Sequence, residues 1–422
     1  MHKLKLNPEQ KNIVGLPPSQ SVLITGEAGV GKTHVALCRL AALTRRSPGL
    51  RSAVLVPNSA LVDKTDRQLR RLGVDAEVST FDDWSHRQAM AVFDGVPERL
   101  SVGASAGVIA FKRHPAVRAA LDDVQAPDGV CADTLFELWG DSGLLEAIVD
   151  EGADPLQAEA VANHARVQFQ ATALATYGED GRGFDGESID FGTPDEDAGS
   201  LDLEDFPVLF ALAPRARIQR YDHIVVDESQ ALAPMEYALI ARAVTRSGSI
   251  TVAGDAHQAS DPTAYFLGWK GVIGEFSPVP FAHMALERNH RCPLPIIRFA
   301  RSLFSGADWS ESDALRLTLV PEGNNLLGRL RADLADAPAD TTVIARTAER
   351  ARRLRKKLGP GHHITHVDGV RGLDLTHVVV PDAGPAAYPA GDGSREALYI
   401  AVTRATRSVR LYAAEVWSPL IG

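Results

Sequence analysis

Eight consecutive residues near the start of the chain have the types and spacing of a loop that binds phosphate groups. They fit the pattern G-x-x-x-x-G-K-[ST] without a mismatch and comprise Gly26, Glu27, Ala28, Gly29, Val30, Gly31, Lys32 and Thr33. Glycine permits positive φ angles and lets backbone N–H groups approach phosphate oxygens closely. The Lys32 ammonium suits the β- and γ-phosphates, and the Thr33 hydroxyl suits Mg²⁺. The pattern therefore predicts a site for a nucleoside triphosphate and its magnesium ion.

A pair of carboxylates far along the chain has the chemistry that such a site still needs. Asp227 and Glu228 follow the apolar run 224–226, which is a candidate buried strand. We predict that Asp227 helps to hold Mg²⁺ and that Glu228 accepts a proton from the attacking water. On its own, the pair would also fit the acidic start of a following helix. The phosphate loop favours the catalytic interpretation.

Strands and helices must position these residues, and the hydrophobic pattern predicts both. In the first part of the chain, strands are expected at 21–25, 52–56, 224–226 and 249–253, and helices at 34–43, 61–72 and 234–244. The alternation restarts after Phe281 with strands at 341–345, 378–380 and 409–413. Strands that alternate with helices predict an α/β fold with parallel, doubly wound sheets.

The chain is long enough for two or three domains, since it has 422 residues. We expect a first α/β domain at 1–84 and 205–282, a mainly helical insertion at 85–204, and a second α/β domain at 283–422. Within the insertion, residues 178–205 are rich in Gly, Asp and Glu, which predicts a mobile acidic loop.

The bulk composition excludes several classes of protein. The formal net charge is −10, which argues against non-specific coating of DNA. The sequence has no apolar run of transmembrane length and no signal-peptide pattern at its start, so we expect a cytoplasmic protein without a membrane partner. The three cysteines, Cys38, Cys131 and Cys292, lie far apart and are expected to be reduced thiols.

Five further segments stand in the order found in superfamily 1 helicases. They are residues 6–10 (LNPEQ), residues 52–59 with 79–81, residues 254–258 (GDAHQ), residues 286–291 (LERNHR) and residues 398–405 (LYIAVTRA). With these segments the chain resembles the UvrD/Rep/PcrA group and the related HelD-type ATPases. The resemblance implies two RecA-like P-loop NTPase domains that bind ATP and Mg²⁺ between them.

The resemblance also implies roles for individual residues. Gln10 would read the adenine edge, and His34 would follow the phosphate loop at the nucleotide. Gln258 would sense the γ-phosphate, and Arg291 and Arg404 would be arginine fingers from the second domain. Lys32, Glu228, Gln258, Arg291 and Arg404 are therefore the expected catalytic residues. Two guanidinium groups would neutralise charge that develops on the γ-phosphoryl group.

Three departures from the family pattern affect the expected nucleotide site. His290 stands where a tyrosine usually stacks on adenine. Gly372 and Asp374 belong to a segment that usually reads Lys-Gly-Leu-Glu, and Asp374 is one methylene shorter for its proposed ribose contact. The stretch between Phe304 and His366 is too short for the second-domain insertion of the family, so that insertion is expected to be missing.

A track for single-stranded nucleic acid would need aromatic rings for stacking and polar groups for phosphates. The stacking candidates are Phe81, Trp84, Tyr265, Phe266 and Trp269, each of which would also suit a core. The phosphate-contact candidates are Thr80, Arg346 and Thr347, the last two by resemblance to an Arg-Thr pair in the family. The basic runs 67–71 and 350–357 fit either phosphate contacts or solvated helix faces.

Two functional hypotheses remain open. The first is an ATP-dependent translocase or helicase on single-stranded nucleic acid, most simply DNA with RNA as an alternative, moving 3′ to 5′ by analogy. The second is a nucleotide-gated ATPase that acts on a protein partner, such as a nuclease of a defence or repair complex or RNA polymerase. Both share the same motifs, so the motifs do not separate them. A non-hydrolysing ATP-binding protein is disfavoured because the expected catalytic residues are intact.

Overall fold

The structure is a computed structural model that describes residues 6–101, 104–124, 129–169, 197–276, 279–321 and 325–421. Within these ranges the chain forms two β-sheets whose neighbouring strands all run parallel. Helices cover both faces of the first sheet, because Leu23 packs into one core while Val22 and Ile24 pack into another. The predicted α/β fold is confirmed, and it is consistent with RecA-like P-loop domains.

The first sheet has six strands in the order β3-β2-β4-β5-β1-β6 in the described part of the chain. Its strands are β1 Ser21–Thr25, β2 Ser52–Val56, β3 Glu77–Thr80, β4 Tyr221–Val226, β5 Val244–Gly254 and β6 Phe281–Ala285. Every residue of β1 and β2 is buried, which fits their mainly apolar sequences. We call this sheet with its covering helices the first lobe.

The second sheet has five strands in the order β7-β11-β10-β8-β9, again within the described ranges. Its strands are β7 Leu315–Val320, β8 Thr341–Ala345, β9 His363–His366, β10 Leu375–Val380 and β11 Ala405–Ala414. Ile344 faces one core and Val343 the other, so helices cover both faces here too. We call this sheet with its helices the second lobe.

Helices connect the strands in both lobes. In the first lobe they are α1 Pro8–Gly15, α2 Lys32–Arg46, α3 Ser59–Leu72, α10 Asp205–Leu212, α11 Pro234–Ala243 and α12 Gly268–Glu275. The second lobe has α13 Leu294–Ser305, α14 Leu326–Ala335, α15 Ala348–Leu358 and α16 Asp392–Thr403. None of the helices in the described ranges is long and apolar enough to span a bilayer.

The position of strand β6 shows that the expected start of the second domain was placed too early. The boundary predicted between 282 and 283 falls inside β6, which pairs with β1 from Ser21↔Phe281 to Thr25↔Ala285. The first sheet therefore extends to Ala285. The hydrophobic pattern missed this strand because its apolar residues neither alternate with polar ones nor form a continuous run, since His283 interrupts them.

The described residues between 85 and 204 are mainly helical. We call them the helical insertion, and we include residues 81–84, where its first helix begins. Its helices are α4 Phe81–Met90, α5 Ala106–Lys112, α6 Pro115–Asp122, α7 Thr134–Gly140, α8 Ser142–Asp150 and α9 Pro155–Gln168. They share one continuous hydrophobic core with a face of the first sheet. The insertion is thus packed onto the first lobe.

The predicted acidic loop is corrected at its C-terminal end. Residues 178–196 lie outside the described residues, but 197–205 are described and contain buried acids. Asp202 and Asp205 are almost fully buried and accept hydrogen bonds from the buried Lys112 ammonium at 2.6 and 2.9 Å. An ion pair with additional hydrogen bonds offsets the cost of burying these carboxylates, which composition alone does not reveal.

Candidate nucleotide site between the two lobes

The phosphate loop joins β1 to α2 and depends on its glycines. Gly26, Gly29 and Gly31 have φ angles of 146°, 86° and 91°, a region that other residues rarely adopt. The loop is also tightly packed, since a Cβ atom on Gly26 would lie 2.4 Å from the Leu286 carbonyl oxygen. The N-terminus of α2 follows directly, so its free N–H groups and positive dipole end favour an anion at this loop.

Lys32, Thr33 and Asp227 meet where the loop enters α2. The Lys32 ammonium donates hydrogen bonds to the carbonyl oxygens of Gly26 and Glu27 at 2.8 and 3.0 Å. The Thr33 hydroxyl donates to Asp227 Oδ2 at 2.7 Å, as β4 ends beside the loop. Burial, and then the neighbouring Glu228, raises the pKa of Asp227 to about 6. Loop, hydroxyl and carboxylate are thus assembled in one place.

Glu228 is held in an unusual backbone conformation directly after Asp227. Its φ of 50° lies in the left-handed region, which is uncommon outside glycine and frequent at functional sites. Gln230 donates to Glu228 Oε2 at 2.8 Å and so orients the carboxylate. Burial acts to raise the pKa of Glu228, but the charges of Lys32 and Arg404 outweigh it and keep the pKa below its usual value. The carboxylate is therefore ionised and able to accept a proton.

A chain of buried hydrogen bonds connects Gln258 with the second lobe. Gln258 Nε2 donates to Asp255 Oδ2 at 2.8 Å, and Arg404 Nη2 donates to Gln258 Oε1 at 2.9 Å. The Tyr399 hydroxyl donates to Asp255 Oδ2 at 3.1 Å and accepts a hydrogen bond from the Ala28 N–H at 3.0 Å. Arg404 and Tyr399, both from the end of the second lobe's sequence, therefore lie against the first lobe's site.

Arg291 also lies beside the phosphate loop. A Cβ atom on Gly29 would be 2.7 Å from Cβ of Arg291, which shows how closely the two backbones approach. Asn289 fixes this segment to the loop by donating to the Ala28 carbonyl oxygen at 2.6 Å. Arg291 Nε is 2.6 Å from Asp374 Oδ1, so its guanidinium is paired within the second lobe.

The other expected nucleotide contacts are distributed around the loop. Gln10 approaches the Val30 carbonyl oxygen at 3.4 Å while its side chain closes a capping box with Asn7. The His34 ring faces the Cys38 thiol at 3.6 Å. The side chain of His290 is exposed, and its backbone N–H donates to the Gly29 carbonyl oxygen at 2.8 Å. These residues therefore border the phosphate loop.

Two expected contacts are placed differently from the prediction. Asp374 was expected to meet a ribose, but its carboxylate pairs with Arg291 and also lies 3.4 Å from the Lys64 ammonium. Gly372 packs against helix α3, because a Cβ atom there would be 2.5 Å from Leu61 Cδ1. Both residues thus serve the contact between the two lobes in this structure.

Unsatisfied buried atoms indicate that the site suits a nucleotide with Mg²⁺. Among the described residues, Asp227 Oδ1 and the Nε and Nη1 atoms of Arg404 are buried without a hydrogen-bond partner. Buried polar atoms normally have partners, so these atoms point to ligands that complete the site. A carboxylate oxygen beside a threonine hydroxyl fits Mg²⁺, and an arginine with free N–H groups fits a phosphate.

A cavity of about 520 Å³ opens beside Asp227 and Glu228 at the junction of both lobes and the helical insertion. Two nucleic-acid candidates, Thr80 and Phe81, are among its lining residues. Its described lining is strongly acidic, with carboxylates from Asp82, Glu204, Asp227, Glu228, Glu236, Asp261 and Asp368. The cations Arg113 and Arg371 are paired with some of these acids. Carboxylates thus outnumber cations in the described lining, which disfavours a nucleic-acid phosphate backbone there.

The proposed stacking rings are largely occupied by protein contacts. Phe81 and Trp84 are corrected to core residues, because they are only 6% and 0% exposed and pack on each other. Phe266 and Trp269 pack edge to face, and Tyr265 meets the His114 ring edge to face. The Thr80 hydroxyl caps α4 by accepting from the Asp83 N–H at 3.0 Å.

The remaining phosphate candidates lie elsewhere, in the second lobe. Arg346 lines a separate groove of about 340 Å³ with Arg350, Arg353 and Lys357. Thr347 caps α15 by accepting a hydrogen bond from the Arg350 N–H at 3.3 Å. The described residues therefore do not bring all the nucleic-acid candidates into one basic groove.

Several residues of the site had no role in the sequence-based prediction. Gln230, Asn289 and Tyr399 were part of recognised segments, but their bonds connect segments far apart in sequence. Gln230, for example, accepts from the Asp255 N–H at 3.0 Å while it donates to Glu228. The sequence did contain a signal for them, namely two side-chain amides and a tyrosine within motif segments. Buried polar groups need hydrogen-bond partners, so these side chains were candidates for such bonds.

The fold and the phosphate loop are those of a P-loop protein, and its two α/β lobes are consistent with RecA-like domains. The family model described as an AAA domain matches residues 10–262, more than half of the 422 residues. The chain belongs to this AAA-domain family, which is a helicase-like P-loop family. The expected resemblance is confirmed at that level, and the subgroup stays a prediction.

No curated protein matches the sequence. Among solved structures, the chain is similar to the C-terminal domain of a possible DNA helicase from Lactobacillus plantarum WCFS1. The identity is 18%, the match covers 32% of this chain and 93% of that domain, and the TM-score is 0.28. A similarity of this size carries no conclusion about the activity of this chain.

Proposed function

We propose that the chain is a Mg²⁺-dependent ATP hydrolase whose site is completed by arginines from the second lobe. One observation supports this most strongly. Arg404 is fully buried at the lobe interface, donates one N–H to Gln258 at 2.9 Å, and has two nitrogen atoms without a partner near Glu228. A buried guanidinium with free donors beside a phosphate loop is suited to stabilise charge on a γ-phosphoryl group.

Hydrolysis would use this chain's residues in the following way. Glu228 accepts a proton from water as the water oxygen bonds to the γ-phosphorus and the bond to the β-phosphate oxygen breaks. Lys32, Arg404 and Arg291 neutralise the charge that develops on the phosphoryl oxygens and on the departing ADP. Thr33 and Asp227 would hold Mg²⁺, which when bound supplies further neutralisation of the phosphate charge. Arg291 must first exchange its pairing with Asp374 for the phosphate.

The substrate that fits the family best is single-stranded nucleic acid. ATP would favour the closed arrangement of the lobes because Arg404 and Arg291 gain contacts only there, and ADP would release it. Repeated closure would move the lobes along a strand. A 3′-to-5′ direction and a UvrD/Rep-like subgroup follow from the motif order alone and belong to the proposal.

A second candidate is supported by the acidic cavity. Thr80 borders a space with seven carboxylates and two paired arginines in its described lining. A phosphate backbone is repelled there, whereas a basic segment of a protein partner would be attracted. In this alternative the same ATP site gates a grip on protein, such as a nuclease or RNA polymerase.

ATP turnover measured with and without single-stranded DNA, RNA and duplex DNA tests the proposal. We expect Mg²⁺-dependent hydrolysis that single strands stimulate, and stimulation that weakens as salt rises because phosphate contacts release counterions. Hydrolysis that no nucleic acid changes, but that a protein partner raises, would favour the second candidate. No hydrolysis under any of these conditions would contradict both.

A further inference from the structure

The turn after Gln258 is held from two sides by arginines of different parts of the chain. We call residues 258–263 the sensor turn. Arg371 of the second lobe donates to the Gln258 carbonyl oxygen at 2.9 Å and to Ser260 Oγ at 2.5 Å. Arg113, which ends helix α5 of the insertion, donates to Asp261 Oδ2 at 3.2 Å and to Thr263 Oγ1 at 2.9 Å. The sensor turn therefore links the insertion to the second lobe.

Arg113 also reaches the segment that follows Glu228. Its Nη2 donates to the Ala231 carbonyl oxygen at 2.9 Å and to Glu236 Oε2 at 3.0 Å, and its Nε lies 2.9 Å from Glu236 Oε1. Only 10% of the Arg113 side chain is exposed. One planar guanidinium thus joins the insertion to both stretches that follow the expected water-activating and γ-phosphate-sensing residues.

The helix that presents Arg113 is firmly anchored where the insertion meets α10 of the first lobe. Lys112, the preceding residue, is fully buried between Asp202 and Asp205, and Trp139 Nε1 donates to Asp205 at 3.0 Å. Removing one partner of a buried ion pair is strongly destabilising, because the other charge is left buried and unpaired. The ion pair therefore fixes the end of α5, and with it Arg113, to residues 202–205.

We propose that Arg113 is a positioning residue that couples the helical insertion to the hydrolytic site. The inference rests on the proposed ATP hydrolysis and adds a regulated element to it. A nucleotide that moves the sensor turn must move Arg113 and α5, and a ligand on the insertion must act back on Glu228 and Gln258. Within the described residues, the hydrogen bonds of Arg113 do not include the phosphate loop. The coupling therefore acts on turnover more than on nucleotide affinity.

The test replaces Arg113 by lysine and compares it with a matched control. Arg113→Lys keeps a positive charge beside Glu236, but a single ammonium lacks the planar fork that bonds Ala231, Glu236, Asp261 and Thr263 together. Arg118→Lys is the control, because Arg118 of α6 pairs with Glu275 of α12 and joins the same insertion to the same lobe outside the sensor turn.

We expect Arg113→Lys to lower kcat for Mg·ATP at least about tenfold, with KM within about twofold of the wild-type value and little change in Tm. Arg118→Lys should keep the wild-type kcat. A merely structural role predicts instead that kcat follows Tm in both variants. A wild-type kcat in folded Arg113→Lys protein would overturn the inference and leave the proposed hydrolysis intact.

Amide hydrogen exchange gives a second readout that needs binding but no turnover. A non-hydrolysable ATP analogue with Mg²⁺ should slow exchange in both the sensor turn and α5 of the wild type and of Arg118→Lys. In Arg113→Lys the sensor turn should still respond while α5 does not. An unchanged α5 response in Arg113→Lys would refute the coupling alone. A wild type without any response in the sensor turn would contradict the coupling and the proposed nucleotide site together.

Discussion

The nucleotide site and the expected nucleic-acid track differ in how the fold treats their residues. The nucleotide site brings together residues of both lobes through hydrogen bonds of 2.7 to 2.9 Å, namely Lys32, Thr33, Asp227, Gln258 and Arg404. At the track, Phe81 is buried and Thr80 faces a cavity lined by carboxylates. Catalysis needs fixed geometry, which motifs encode strongly. A strand-binding surface needs charge and exposed rings, which short motifs do not report.

The largest expected effect is on ATP turnover at the nucleotide site. Glu228→Gln removes the proton acceptor while it keeps the hydrogen-bonding shape beside Gln230, so turnover should fall by about 10² to 10⁴-fold. Nucleotide binding should persist, because Lys32 and the loop are untouched. Steady-state turnover and nucleotide titration check this, with Asp222→Asn at the other end of β4 as the control. Unchanged turnover in Glu228→Gln would remove Glu228 from its proposed role.

A smaller effect concerns the pH dependence of stability and involves His223 in β4, the buried strand that leads to Asp227. Burial, and then the charge of Arg39, lowers the pKa of His223 from 6.5 to about 3. In the unfolded chain, the His223 ring binds a proton below its pKa of 6.5. In the folded chain, the same ring stays neutral down to about pH 3. Stability is therefore fully present above pH 6.5 and falls by about 1.4 kcal/mol per pH unit below it.

The comparison of pH 8 with pH 5 isolates this contribution. From the slope, the wild type should lose about 2 kcal/mol more unfolding free energy than His223→Gln, which has no titrating ring. Urea unfolding at both pH values measures the difference, and other titrating groups cancel between the two proteins. Equal losses in the two proteins would mean that His223 titrates normally in the folded chain.

The smallest expected effect tests whether a nucleic-acid strand passes through the acidic cavity. Burial raises the pKa of Asp82 to about 6 and that of Glu204 to about 7, so both carboxylates are charged at pH 8. The pair of substitutions Asp82→Asn and Glu204→Gln removes these two charges, so at pH 8 and low salt a strand that passes through the cavity should bind about tenfold more tightly. Asp83→Asn is the control, since the exposed Asp83 neighbours Asp82 without lining the cavity. Fluorescence anisotropy with labelled single-stranded DNA measures the affinity. Equal affinity in the double variant would exclude a path through this cavity.

The phosphate loop and most strands could be predicted because their signals are local. The strand at 341–345 and the loop before α2 follow directly from apolar runs and glycine spacing. The bridging role of Tyr399 could not, because its hydroxyl bonds to Ala28, 371 positions away in sequence. Likewise, Asp202 resembles part of a solvated acidic loop until Lys112, 90 positions earlier, is placed beside it.

Burial explains the errors on the nucleic-acid side. Phe81 has the composition of both a stacking ring and a core residue, and only the position of Trp84 and the insertion decides that it is buried. At the nucleotide site, Asp374 matched a motif position, but its pairing with Arg291 depends on how the second lobe itself folds. Long-range packing therefore decided the residues that motif order alone left undetermined.

The most direct test of the account is the binding of ADP with aluminium fluoride and Mg²⁺, which resembles the phosphoryl group during transfer. If arginines of the second lobe act at that stage, Arg404→Lys and Arg291→Lys should each weaken this complex by about 10³-fold, while affinity for a non-hydrolysable ATP analogue changes by less than about tenfold. Equal weakening of both complexes, or no weakening of either, would contradict the claim that the second lobe completes the hydrolytic site.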